Sequence, residues 1–292
     1  MARVRYGLIG FGGIAEGRIA PEGFGLDASR FSPLPEAELV AVTSRSDRRR
    51  GAAEQLGLVW YDSVEALLEH PGLDALFIAS NNRSHFDHAM AAMEAGKHLL
   101  VDKPITPDLS QARRLVEAAE ARTLSLAVNH MMVHNSLNSR ARQLLAAGEI
   151  GEIGEIELRI EFGFGASPAE AASWRCAVPE ERGGPIGDVG SHAMYMAEFL
   201  LGSRITAVGC TYAPKSLKIA AESGADLRIE LDNGVTGRIR VAFDAIHRNL
   251  ESTLLGLGYT VYGSHGVLRS YGTLGQLSGH PDEPVPLRLE ID

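Results

Sequence analysis

Two stretches of this 292-residue chain place ionisable side chains where they can do chemistry. In HLLVDKP (98–104) a short apolar run ends in a carboxylate, Asp102, an amine, Lys103, and a ring, Pro104. In GGPIGDVGSH (183–192) Asp188 and His192 stand four apart, the spacing that puts both on one side of a helix. An amine at a strand end offers a cation to an oxygen that gains negative charge, and an imidazole moves protons near neutral pH. Together they suit hydride chemistry at a carbon that bears oxygen, because a hydroxyl proton must leave as the hydride does. Read alone, each stretch has a plainer reading. Lys103 equally fits a surface turn, and an isolated D-x-x-x-H better fits a capping aspartate with a satisfied core histidine. A metal pair at 188 and 192 lacks an evident third ligand.

A third stretch supplies what hydride chemistry would need. GLIGFGGIA carries Gly10-Phe11-Gly12-Gly13-Ile14-Ala15, a G-x-G-x-x-A pattern directly after the first apolar run. The first glycine permits a tight turn, the second lets the backbone approach a pyrophosphate, and Ala15 lets helix and strand pack closely. An NAD site wants an acid at the end of the second strand, to hold the ribose 2′-hydroxyl. Here that strand runs into AVTSRSDRRR, with Ser44 and Arg45 at the position of the acid and Arg48, Arg49 and Arg50 behind them. A hydroxyl and a guanidinium suit a 2′-phosphate, so NADP is favoured over NAD. Asp47 lies too far along to be the ribose ligand, and at least one of the arginines belongs to a solvated helical turn.

These residues need elements to position them. Apolar runs at 4–9, 38–43, 75–80, 98–101 and 124–128 alternate with helical patterns. In DLSQARRLVEAAEA, Leu109, Ala112, Val116 and Ala119 fall three and four apart as one face, with Asp108 as N-cap. SVEALLEH and HFDHAMAAMEAGKH read as helices too, the latter stopped at Gly96, and 21–36 as an added loop. Continuous apolar strands between amphipathic helices mean a doubly wound α/β domain with a parallel sheet, over about residues 1–130. Beyond 150 the pattern changes. IELRIEF (156–162) alternates strictly, 227–241 reads as a hairpin around Asp232-Asn233-Gly234, and YTVYGSHGVLRSYG reads as another. One helix, about 188–201, interrupts them. Residues 131–292 are therefore expected to form an α+β substrate domain with a largely antiparallel sheet. Its uncovered face is available for a homodimer or homotetramer, or simply for water.

Composition narrows the classes. Twenty-eight basic against 37 acidic residues give a net charge of −9, which argues against a nucleic-acid partner. No apolar run approaches a membrane span, and MARVRYGLIGFGG lacks the pattern of a signal peptide. Two cysteines without a CxxC pair argue against a zinc site or a disulfide framework and fit a reducing cytoplasm. His85 with His88, and His130 with His134, read as surface or pocket-lining histidines rather than metal ligands.

The motifs taken jointly resemble the Gfo/Idh/MocA family of oxidoreductases, from residue 3 to about 270. The resemblance rests on the glycine loop, SNNRSH (80–85), AGKHLLVDKP, Asn129, and SWR (173–175) leading into a G-G-x-x-x-D-x-G-x-H stretch. It implies a Rossmann domain followed by an α+β domain, and hydride transfer between a nicotinamide cofactor and a sugar-like or polyol substrate. It implies that Lys103, Asp188 and His192 form the catalytic group. It places cofactor contacts at Gly10, Phe11, Gly12, Gly13, Ile14, Ser44, Arg45, Ser80, Asn82, His85, Asp102, Lys103, Asn129, Trp174 and Arg175. Asn129-His130 and Ser44-Arg45 look closest to the sugar-ketone and anhydro-sugar reductases of the family. Three positions depart from the pattern: Asp102 in place of the usual Glu, Pro185 in place of a third glycine, and Met131 where many members carry Arg. The family pattern also implies helices after the last strand, whereas the given sequence ends PVPLRLEID. A second reading is a dinucleotide-binding regulator of the same fold, which needs the glycine loop but not the lysine and histidine.

Overall fold

A computed structural model of the chain describes residues 3–247, 249–275 and 285–292. The chain divides into two compact units, Met1–Asn129 and His130–Asp292. The strands of the first are β1 (Val4–Ile9), β2 (Ala37–Thr43), β3 (Val59–Tyr61), β4 (Ala75–Ile78), β5 (His98–Asp102) and β6 (Leu126–Asn129). Among the described residues they form one sheet, β3-β2-β1-β4-β5-β6, with every neighbouring pair parallel. Strand order reverses between β1 and β4, and in such sheets ligands bind beyond the strand ends at the reversal. The glycine loop leaves β1 at that point. Gly10 has φ +100°, and a Cβ there would lie 2.6 Å from the backbone of Ala79 and Ser80, so only glycine fits the crossing.

The helices of this unit are α1 (Arg50–Gln55), α2 (Val64–Leu68), α3 (His85–Glu94) and α4 (Leu109–Ala121), with a π-helical segment over Ala15–Gly23. That segment takes in the start of the 21–36 stretch, so the added loop is shorter than its composition suggests. Strand β3 went unforeseen because VWY is too short to show a period. The structure also corrects the face of α4. Asp108 caps it as expected, accepting from Ser110 N at 2.8 Å and Gln111 N at 3.1 Å. Leu109 and Val116, however, are exposed, at 67% and 44%, while Leu115 and Ala119 are buried. Leu115 packs into the cluster that holds Phe86, Ala89 and Met93 of α3. Burying a leucine rather than a valine gains more apolar area, and that decides between two neighbouring faces.

The second unit contains β7 (Ile153–Glu161), β8 (Ile205–Tyr212), β9 (Gly224–Leu231), β10 (Thr236–Ala242), β11 (Leu257–Gly263), β12 (Val267–Tyr271) and β13 (Arg288–Ile291). Its helices are α5 (Ser136–Ala146), α6 (Pro168–Ala171), α7 (Trp174–Ala177), α8 (Ser191–Leu201) and α9 (Leu250–Leu255). Among the described residues the sheet order is β13-β12-β11-β7-β10-β9-β8, antiparallel except where β7 and β10 run parallel. The 227–241 hairpin forms as expected, pairing Leu227 with Ile239 and Ile229 with Gly237, with Gly234 at φ +86°. Period-two alternation sends Ile156, Leu158, Ile160, Leu227, Ile229, Ile239 and Val241 to one face. There they share a core with Ala193, Met196, Ala197 and Leu200 of α8. Arg159, Arg228, Glu230, Arg238 and Arg240 are exposed. Packing against this face thus decides which α8 side chains lie in the core and which remain outside it.

Candidate active site

In the first unit the glycine loop ends in the start of a helix. Its first intrahelical bond runs from Glu16 N to Gly12 O at 2.9 Å, so the N–H groups before it lie ahead of the helical ladder. A Cβ at Gly12 would meet nothing within 4 Å, and one at Gly13 only Arg49 Nη1 at 3.8 Å. This is bare backbone at a helix start beside open space, which fits a dinucleotide pyrophosphate. Phe11 is 1% exposed and belongs to the core, so it has only backbone to offer a ligand, whereas Ile14 is exposed. Ser44 is half-buried just past β2 and Arg45 is exposed. The arginine that reaches the loop is Arg49, whose Nη1 lies 2.5 Å from Glu16 Oε2. Arg50 turns instead to Glu54 and Asp62 and lies over the Trp60 ring.

The ends of β4 and β5 are tied together by His85. This histidine is fully buried, with Nδ1 2.8 Å from Pro104 O and Nε2 3.1 Å from Ser80 O. It braces the two strand ends that carry Ser80 and Lys103, and its burial leaves no ring surface for a cofactor. His88 bonds the Ser80 hydroxyl through Nδ1 at 2.9 Å, and burial lowers its pKa. Asn82 is buried in a short 3-10 turn before α3. Lys103 follows β5 directly, and its bond to Pro104 is cis. Burial raises the pKa of Asp102, against the opposing pull of the Lys103 charge and a 3.4 Å hydrogen bond from Asn129 Nδ2. The lysine therefore has a desolvated carboxyl as its immediate neighbour.

In the second unit Asp188 does not cap a helix. It sits inside a π-helical turn, Ile186–Gly190, that runs into α8. Backbone crowding accounts for the glycines here: a Cβ at Gly183 would lie 2.3 Å from Arg175 O, and one at Gly187 2.0 Å from Arg182 O. Glu222 holds the turn from outside, accepting from Ile186 N at 2.9 Å. The Asp188 carboxylate, 8% exposed, accepts from Arg175 Nε at 3.0 Å, and that guanidinium also lies 4.6 Å over the Trp174 ring. Trp174 and Arg175, foreseen as cofactor contacts, thus form one cluster with Asp188. His192 is 4% exposed, and its ring meets that of His130 edge-to-face at 5.9 Å. His130 stacks in turn on Tyr195 at 4.0 Å and 8°.

A sequence model described as "Oxidoreductase family, NAD-binding Rossmann fold" matches residues 4–130, and that of the GFO/IDH/MocA C-terminal domain matches 138–269. The chain belongs to the Gfo/Idh/MocA family. It is 29% identical over 288 residues to dTDP-3,4-didehydro-2,6-dideoxy-alpha-D-glucose 3-reductase of Streptomyces violaceoruber, covering 98% of this chain and 77% of that protein. It is 30% identical over 234 residues to 1,5-anhydro-D-fructose reductase of Ensifer adhaerens, covering 79% of this chain and 67% of the relative. A solved structure of KijD10, a 3-ketoreductase from Actinomadura kijaniata in complex with TDP-benzene and NADP, superposes with TM-score 0.81 at 25% identity. That match covers 100% of this chain and 82% of the other.

Membership of the Gfo/Idh/MocA family makes the protein an oxidoreductase that uses a nicotinamide dinucleotide, with the α/β architecture expected. Its relatives are named as reductases and dehydrogenases, which supports an enzyme rather than a regulator. Among the described residues no helix is long and apolar enough to cross a membrane, and no cluster of three or more His, Cys, Asp or Glu could hold a metal. Two features were missed in sequence. Arg49 stood in the run of arginines without a way to single it out. Tyr195, three residues beyond His192, gave no signal because its partner His130 is remote in the chain.

Proposed function

We propose that the protein is an NADP-dependent reductase or dehydrogenase of sugar-like ketones, aldehydes and polyols, in which Lys103, Asp188 and His192 act on the substrate oxygen. The observation that carries this reading is the place of Lys103. It leaves the same edge of the same parallel sheet as the glycine loop, with one strand between β1 and β5. Strands are spaced about 4.8 Å apart, so the lysine stands about 10 Å along that edge, within the span of a dinucleotide anchored at the loop. Gly10 to Ile14 offer backbone to the pyrophosphate. Ser44, Arg45 and Arg49 face the 2′-phosphate of NADP, and Ser80, Asn82, Asp102, Asn129, Trp174 and Arg175 line the rest of the cofactor; His85 braces the strand ends that carry Ser80 and Lys103. When bound, the nicotinamide ring supplies or takes the hydride.

In the reducing direction the Lys103 ammonium donates a hydrogen bond to the carbonyl oxygen and stabilises the charge that grows there. The His192 imidazolium gives that oxygen its proton. Asp188, anchored by Arg175, orients the substrate. Oxidation runs the same steps in reverse, with His192 taking the hydroxyl proton. The sheet's exposed face, rich in alternating charges, serves a homodimer or homotetramer, and the two unpaired thiols, Cys176 and Cys210, suit the cytoplasm.

The test is NADPH oxidation against a panel of ketoses, aldoses and anhydro-sugars. Lys103→Met and His192→Asn should each lower kcat by about 10²–10⁴-fold. Full activity in the double variant would end the catalytic assignment. Tight NADPH binding without turnover of any sugar would restore the regulator reading.

A further inference from the structure

His192 and Tyr195 are three apart on α8, so their side chains leave neighbouring points on one face of the helix. His130 touches both rings: it lies parallel to Tyr195 and perpendicular to His192. Burial separates the two. His192 is 4% exposed, whereas Tyr195 keeps 39% of its surface open. Ser191, Glu198 and Phe199 on the same face of α8 are half-buried and Ala193, Met196 and Ala197 are in the core, so Tyr195 is the most open side chain of the helix. One face of the phenol is covered by the His130 imidazole, which holds its plane fixed. The exposure therefore lies away from His130, on the remainder of the ring.

We propose that the open face of Tyr195, backed by His130, is the platform on which the substrate's sugar ring stacks while His192 serves the reacting carbon. The proposal rests on the reading of His192 as the proton donor and acceptor. An aromatic face is electron-rich, and a pyranose turns a layer of axial C–H bonds, slightly positive, toward such a face. A ring already held by a stacked partner loses little freedom on binding, so the contact is pre-organised. Spacing identifies which part of a ligand is held. Side chains three apart on a helix have Cβ atoms about 5–6 Å apart, close to the breadth of one six-membered sugar ring. A base joined through a diphosphate would lie several bonds beyond that reach. The platform therefore selects for the cyclic sugar itself and against acyclic polyols and short hydroxyketones.

The experiment compares wild type, Tyr195→Phe, Tyr195→Leu and His130→Ala, each loaded with NADP(H). Turnover is read on a cyclic substrate, 1,5-anhydrofructose, and an acyclic one, dihydroxyacetone. Saturation-transfer NMR with 1,5-anhydroglucitol reads binding without turnover. An aromatic contact of this kind is worth about 0.5–1.5 kcal/mol, about 2–10-fold. Tyr195→Leu should lower the cyclic-to-acyclic ratio of kcat/KM by that factor and remove saturation of the ring C–H protons. Tyr195→Phe should preserve both, and His130→Ala should lower the ratio by a smaller factor. A ratio that stays constant in Tyr195→Leu, or falls as far in Tyr195→Phe, overturns the platform. Ring saturation in a wild type that reduces no sugar would uphold the platform and overturn the proposed reaction. Absence of both would overturn both.

Discussion

On the proposed NADP reading, the ion pair between Arg49 and Glu16 sets up a choice that governs cofactor preference. The guanidinium lies beside Gly13, and both partners are about two-fifths exposed, 40% and 39%. An exposed pair of this kind contributes about 0.2–1 kcal/mol, so redirecting the arginine costs little. A charge-assisted contact to a 2′-phosphate returns about 1.5–3 kcal/mol. The exchange favours NADP by about 1–2 kcal/mol, or about 5–30-fold over NAD. Arg49→Met should therefore weaken NADPH binding about 5–30-fold and leave NADH within about threefold. Glu16→Gln removes the competing carboxylate and should tighten NADPH by up to about fivefold. Binding is read from the change in nicotinamide fluorescence on titration, which needs no turnover, and the NADPH advantage should shrink with added salt. The reasoning fails if Arg49→Met weakens both cofactors equally, or if Glu16→Gln weakens NADPH.

Two further substitutions probe how the site's charges are held. Burial raises the pKa of Asp102, and a raised carboxyl contributes stability only at acid pH and loses it as pH rises through its folded value. Asp102→Asn should therefore raise Tm at pH 7, with the gain fading below about pH 4, while kcat falls; calorimetry showing a lower Tm at pH 7 would refute the assignment. Arg175→Met takes from the buried Asp188 carboxylate the guanidinium that bonds it at 3.0 Å, and should cost about 1–3 kcal/mol in urea unfolding, toward the lower end because Arg175 is 26% exposed. Adding Asp188→Asn should recover much of that loss, and a second loss of equal size would mean the two side chains act independently.

What could be read from the sequence was what depends on near neighbours along the chain. The glycine loop declares itself because a tight turn and a close backbone approach need particular residues at fixed spacing, and Gly10 meets both demands. The alternation in β7, β9 and β10 is period two with large aliphatics, so the buried face followed directly. The face of α4 was misread because alanines are frequent in it and two stripes satisfy a three-and-four spacing; contact with α3 chooses between them. The plainer reading of Asp188, as a cap, fails for a related reason. An aspartate ahead of an apolar helix looks like an N-cap, and nothing local announces a π-helical turn or the guanidinium 13 residues earlier that takes the carboxylate. The parallel pairing of β7 with β10 joins strands with the whole of α8, β8 and β9 between them, beyond the reach of any pattern in a short window.

The departure of Asp102 from the family's glutamate acquires a physical meaning from these contacts. The shorter arm keeps the carboxyl near the backbone, where it accepts from the Lys103 N–H and reaches Asn129 only at 3.4 Å. Its charge is therefore desolvated and weakly bonded, and the nearby Lys103 ammonium is the largest influence that keeps it ionised. The carboxyl can give way: removing the lysine's charge pushes Asp102 further toward its neutral form, and a neutral carboxyl is tolerated in that position. Lys103→Met should accordingly lose activity without the instability that normally follows when one member of a buried ion pair is deleted. Arg175→Met has no such escape to the same degree, since Asp188 would lose a partner that bonds it directly at 3.0 Å. The two halves of the proposed catalytic group thus differ in how they bear the loss of a cation, and the contrast in unfolding free energy between these two variants measures that difference.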